Sequence, residues 1–100
     1  MSDKIIVTVD IDLEDLIPGF LENRKKDVGL LNNACSDGDV ETLRSIGHSL
    51  KGVGGGYGFN ELSELGAKIE TIAKTGETNG IAELIEQIDD YLTRVEIVFE

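Results

Sequence analysis

The chain has no tryptophan and only one proline, one cysteine, one methionine and one histidine in 100 residues. A lone thiol, Cys35, can close no internal disulfide, and with a single histidine in the chain it offers no zinc-ligand spacing. Cations are scarce as well: nine Lys and Arg stand against twenty Asp and Glu, a formal net charge of −11. Such a surface repels phosphate backbones and anionic headgroups, so neither nucleic acid nor a membrane is expected as a partner. No apolar run approaches the ~20 residues of a membrane span. Ile5-Ile6-Val7 is soon interrupted, and the N-terminus lacks the basic-then-apolar pattern of a secretory signal. A cytoplasmic protein is expected. Linkers, low-complexity tracts and internal repeats are also missing, so one domain over 1–100 is expected, with 1–11 as an N-terminal arm and about 12–100 as a helical bundle.

What is present is helical periodicity. Residues 4–9 have strand propensity but no evident partner and read as an extended arm. Asp10 or Asp12 then caps a short helix through Leu13, Leu16 and Ile17. Pro18 suits the first turn of a helix over about 18–36 with Phe20, Val28, Leu31 and Cys35 on one side. Asp37-Gly38-Asp39 breaks it and caps a helix over about 40–57, striped by Leu43, Ile46, Leu50, Val53 and Tyr57. Gly58 stops that helix, Asn60 caps another, and Lys74-Thr75-Gly76 supplies a basic last turn and a stop. A final helix runs from near Asn79 to the C-terminus, carrying Ile81, Leu84, Ile85, Ile88, Leu92, Val95 and Phe99. One-sided stripes and short connections predict an all-α, antiparallel up-down four-helix bundle with a short N-terminal helix and extended arm.

One stretch breaks the rules of a helix. Gly47, Gly52, Gly54, Gly55 and Gly56 fall within ten residues, each costing about 1 kcal/mol relative to alanine, on the order of 5 kcal/mol together. The stretch fails as a Walker loop because Val53 stands where lysine belongs, and as a dinucleotide loop because Tyr57 replaces the last glycine. The apolar stripe continues through it, so a helix is expected. On that helix His48 points about 180° from the stripe, into solvent. Arg44 lies one turn before it, and Lys51, Gly52 and Gly55 follow within two turns. Gly47 and Gly54 lie nearer the apolar stripe and are assigned to helix packing.

An exposed neutral imidazole flanked by cations and bare backbone suits a nucleophile that receives a bulky anion. Lys51 and Arg44 would offset phosphoryl charge, and Gly52 and Gly55 would leave room for a second protein to reach the ring.

His48-Ser49-Leu50-Lys51-Gly52, followed by Gly58, Leu62, Leu65 and Ile69-Glu70, resembles the signature of histidine-containing phosphotransfer (Hpt) domains, with Ile69 in place of a leucine. The resemblance implies phosphorylation of His48 on Nε2 and relay to or from aspartates of response-regulator receiver domains, with a receiver domain or hybrid histidine kinase as partner. It implies that Lys51 contacts the phosphoryl oxygens and Gly52 keeps the ring accessible. Glu70 matches the carboxylate that, in some relatives, holds the other ring nitrogen. No ATP site and no cofactor are implied, with Mg2+ expected only on the receiver. The protein is then a covalent intermediate rather than an enzyme with its own turnover, acting as a stand-alone monomer. The alternative is a helical adaptor that binds receiver or kinase domains without being phosphorylated. A small enzyme using His48 as general base ranks last, for want of a second catalytic group.

Overall fold

The computed structural model describes residues 3–100; Met1 and Ser2, the start of the expected arm, lie outside the described residues. The elements run β1 (Ile5–Val9), a 3-10 helix (Ile11–Leu16), α1 (Ile17–Asp37), α2 (Val40–Tyr57), α3 (Asn60–Lys74), α4 (Ile81–Arg94) and β2 (Val95–Phe99). The molecule is a helical bundle to which a two-stranded sheet is added.

Local chemistry sets the boundaries. Asp10 caps the 3-10 helix through Asp12 N–H at 2.9 Å. Pro18 sits in the first turn of α1, where its missing N–H costs nothing. Gly38 closes α1 at φ 68° and Gly58 closes α2 at φ 91°, a left-handed backbone that glycine adopts without penalty. Asp39 caps α2, its carboxylate accepting from Thr42 N–H at 3.1 Å and from Thr42 Oγ1 at 2.7 Å. Those bonds hold the Asp39 carboxyl below its ordinary value. Asn60 is the first residue of α3 rather than its cap, which is the buried Phe59.

The core is formed by Leu31 of α1, Leu43 and Leu50 of α2, Leu62 and Ile69 of α3, and Ile81, Ile85 and Ile88 of α4, all essentially inaccessible. Phe20 stacks between Tyr57 and Phe59, with ring centroids 4.5 and 4.9 Å away. Cys35, at the end of the apolar stripe of α1, is half-buried.

Two expectations are corrected at the termini. The arm does have a partner: β1 pairs in parallel with β2, in register from Ile5 against Val95 to Val9 against Phe99. The last helix therefore ends at Arg94 and does not reach the C-terminus. It also begins later than expected, at Ile81, after Gly80 at φ 85°. Val95, Ile97 and Phe99 alternate half-buried with exposed Glu96 and Val98, the two-residue period of a strand lying on a core. Arg94 ties the ribbon down, donating to the Asp3 carbonyl and to Asp90. The fold is thus a mostly helical bundle, as expected, with one small two-stranded sheet added to it. Among the described residues no helix is long and apolar enough to cross a membrane.

Candidate functional site

The site begins with missing side chains. α2 and α3 approach so closely that a Cβ built on Gly47 would stand 2.8 Å from Gly66 O and 2.9 Å from Glu70 N. On Gly54 it would stand 2.8 Å from Ser63 N, and on Gly66 2.7 Å from Leu50 Cβ. Real Cβ atoms do not tolerate such distances, so these three glycines set the spacing of the two helices. Ser63 adds a bond across the seam, its Oγ donating to Lys51 O at 2.7 Å. The packing role expected for Gly47 and Gly54 is observed. Gly66 completes the seam and was not singled out in the sequence, where one glycine inside a helix carries little signal.

This closeness brings Glu70 to His48. His48 follows Gly47 directly, and Glu70 lies one turn beyond Gly66. The His48 side chain is 73% exposed, while that of Glu70 is 11% exposed. His48 Nδ1 lies 2.9 Å from Glu70 Oε2. Burial by itself pushes the Glu70 carboxyl up, but the His48 hydrogen bond and the charges of Lys74, His48 and Lys51 outweigh it and hold the group below its ordinary value. Glu70 is therefore a carboxylate, which can only accept, so Nδ1 carries the hydrogen and donates it. The lone pair of a neutral ring is then on Nε2, and the ring that presents it stands mostly in solvent.

The remaining expected residues divide. A Cβ on Gly52 would meet nothing within 4 Å, so no packing reason requires glycine there. On Gly55 it would rest 3.6 Å from Ser63 Oγ, an ordinary contact that places Gly55 at the edge of the seam rather than on clear surface. Lys51 is exposed, and among the described residues its ammonium has no ion-pair partner. Arg44 lies 3.9 Å from Glu41 and borders a groove of about 340 Å3 with Ser45, His48, Glu70 and Lys74.

In the sequence Lys74 has only the meaning of a basic helix end. It lies 3.8 Å from Glu70 Oε2, the same oxygen that binds His48. Its position one turn after Glu70 was the available signal, usable only once Glu70 is known to face His48. Together these groups form an exposed nucleophilic nitrogen, a fixed tautomer and a cationic surround.

The family model of the Hpt domain matches residues 15–97. No curated protein and no solved structure matches significantly.

Proposed function

Because the chain belongs to the Hpt domain family, whose domains carry out histidine phosphotransfer in two-component phosphorelays, we propose that it accepts a phosphoryl group on Nε2 of His48 and exchanges it with an aspartate of a receiver domain. The observation that supports this most is the 2.9 Å contact between His48 Nδ1 and Glu70, which leaves Nε2 as the free nitrogen of an exposed ring.

In the forward step the Nε2 lone pair attacks phosphorus, the N–P bond forms, and the P–O bond to the receiver aspartate breaks. The aspartate departs as a carboxylate. Nδ1 keeps its hydrogen throughout, so no base is needed. The ring becomes an imidazolium, and Glu70 faces that new charge. Lys51, and Arg44 one turn before His48 on the same helix, offset the phosphoryl oxygens as negative charge gathers on them. Gly52 leaves space for the receiver's approach. The reverse step follows the same path.

On this reading the chain, from its arm to its last residue, is one Hpt-type domain of helices in up-down antiparallel order. It acts as a monomeric intermediate without independent turnover. It holds no cofactor, and any Mg2+ that the exchange requires would come with the receiver's own acidic pocket. A receiver domain, a hybrid kinase or both are its partners.

Incubation with a phosphorylated receiver, or with potassium phosphoramidate as a small donor, tests this. The expected product carries one acid-labile, base-stable phosphate that His48→Gln abolishes. Equal labelling of His48→Gln would overturn the assignment. Undiminished receiver binding by both proteins, with neither labelled, would favour the adaptor reading instead.

A further inference from the structure

Three of the chain's nine cationic residues, Arg44, Lys51 and Lys74, surround one imidazole in a protein of net charge −11. Arg44 and Lys51 flank His48 on its own helix, whereas Lys74 arrives from α3. Its ammonium is drawn in by Glu70 but stays 3.8 Å away, beyond hydrogen-bond length, and its side chain is 58% exposed. Charge alone holds it there, so it can move at little cost.

Its present location has a reason that ends when the phosphoryl group arrives. When the ring is in its neutral, nucleophilic form, Glu70 is a nearly buried carboxylate whose neighbouring positive charge comes from Lys74. After transfer, the ring bonded through Nε2 and still carrying hydrogen on Nδ1 is itself a cation against Glu70. Lys74 is then redundant at the carboxylate, while a group of charge near −2 has appeared at the same ring. The groove of about 340 Å3 that Lys74 borders with Arg44 and Ser45 opens beside it and has ample room for phosphoryl oxygens.

We infer that Lys74 is a phosphoryl-binding residue, which leaves Glu70 for the phosphoryl oxygens on His48 and closes on them from the side opposite Lys51. The inference rests on the phosphotransfer reading above and adds a residue to it.

Lys74→Gln and Lys74→Arg, each made in the natural chain and in a Glu70→Gln background, separate this role from a purely structural one. The readout is the rate of His48 labelling by phosphoramidate across ionic strength, with thermal midpoints measured alongside. Lys74→Gln is expected to slow labelling roughly tenfold and to flatten its salt dependence, with Lys74→Arg retaining most of the rate. The loss should persist in the Glu70→Gln background, because Lys74 acts on the phosphoryl group itself. If Lys74→Gln has no effect once Glu70 is Gln, Lys74 works only through the carboxylate and the inference fails. Natural rate and salt dependence in Lys74→Gln would also overturn it while leaving the phosphotransfer reading intact. If the natural protein takes no label on His48, both fall together.

Discussion

The α2–α3 seam and the β1–β2 ribbon hold the molecule together in opposite ways. In the seam, three glycines remove side chains, and any Cβ added there would stand less than 3 Å from backbone of the facing helix. In the ribbon, β-branched and aromatic side chains supply the contact, with Val7 and Val9 buried and Val95, Ile97 and Phe99 packed against the core. The seam places one carboxylate against one ring nitrogen and has no slack in doing so. The ribbon covers the core end and joins the two termini, and any similar apolar residues would serve. The comparison teaches that positional accuracy here comes from what is omitted. Stability, by contrast, comes from what is added.

The harshest way to test that division is to fill the seam. Gly66→Val would drive a Cβ to 2.7 Å from Leu50 Cβ and 2.8 Å from Gly47 O. It should destabilise by roughly 3 kcal/mol or more in urea titrations and separate His48 from Glu70 in the remaining folded protein. A loss below about 1 kcal/mol would show that the helices have slack.

Val9→Ala is the counterpart in the ribbon. Val9 is 1% exposed, so truncation should cost roughly 2 kcal/mol, yet the folded protein should be phosphorylated at the natural rate. A matching fall in rate would mean that the ribbon positions the site.

Gly52 sharpens the contrast from the open side of α2. Gly52→Ala meets no neighbour and should raise stability by up to about 1 kcal/mol, since alanine suits a helix better. Gly52→Leu should keep the fold but slow transfer from a receiver domain more than labelling by a small donor, because only the larger donor needs the cleared surface. Equal effects on both donors would remove the accessibility argument.

The smallest expected effect is electrostatic. Glu70 titrates lower in the fold than its ordinary value of 4.5, so its stabilising contribution is present above pH 4.5 and is lost as pH falls through its folded value. Glu70→Gln should accordingly flatten the acid limb of the stability–pH profile and leave the limb above neutrality unchanged. An unchanged acid limb would count against the His48–Glu70 pair.

These two regions also differ in how far they could be read from the residues alone. The bounds of α2, the exposure of His48 and the packing use of Gly47 and Gly54 follow from a 3.6-residue stripe and the faces it leaves. Glu70 was within reach only through resemblance to a family signature, because nothing local says that a carboxylate twenty-two residues on meets His48. Lys74 and Gly66 stayed silent because each has an ordinary local meaning, a basic helix end and a tolerated glycine. β2 was illegible for a different reason. Val95 and Phe99 continue the helical stripe of α4 beyond Leu92, and the strand that pairs with them lies at the other end of the chain. A five-residue segment with apolar residues at four positions suits either period, and only a non-local partner decides.

The account depends most on Nδ1 being occupied by Glu70 so that Nε2 does the chemistry. Nitrogen–phosphorus coupling in 15N-histidine-labelled protein, after phosphorylation by a receiver domain, tests this directly. The account predicts a single phosphohistidine coupled through Nε2 of His48, with Nδ1 still protonated. Phosphorus on Nδ1, or on any residue other than His48, would contradict it.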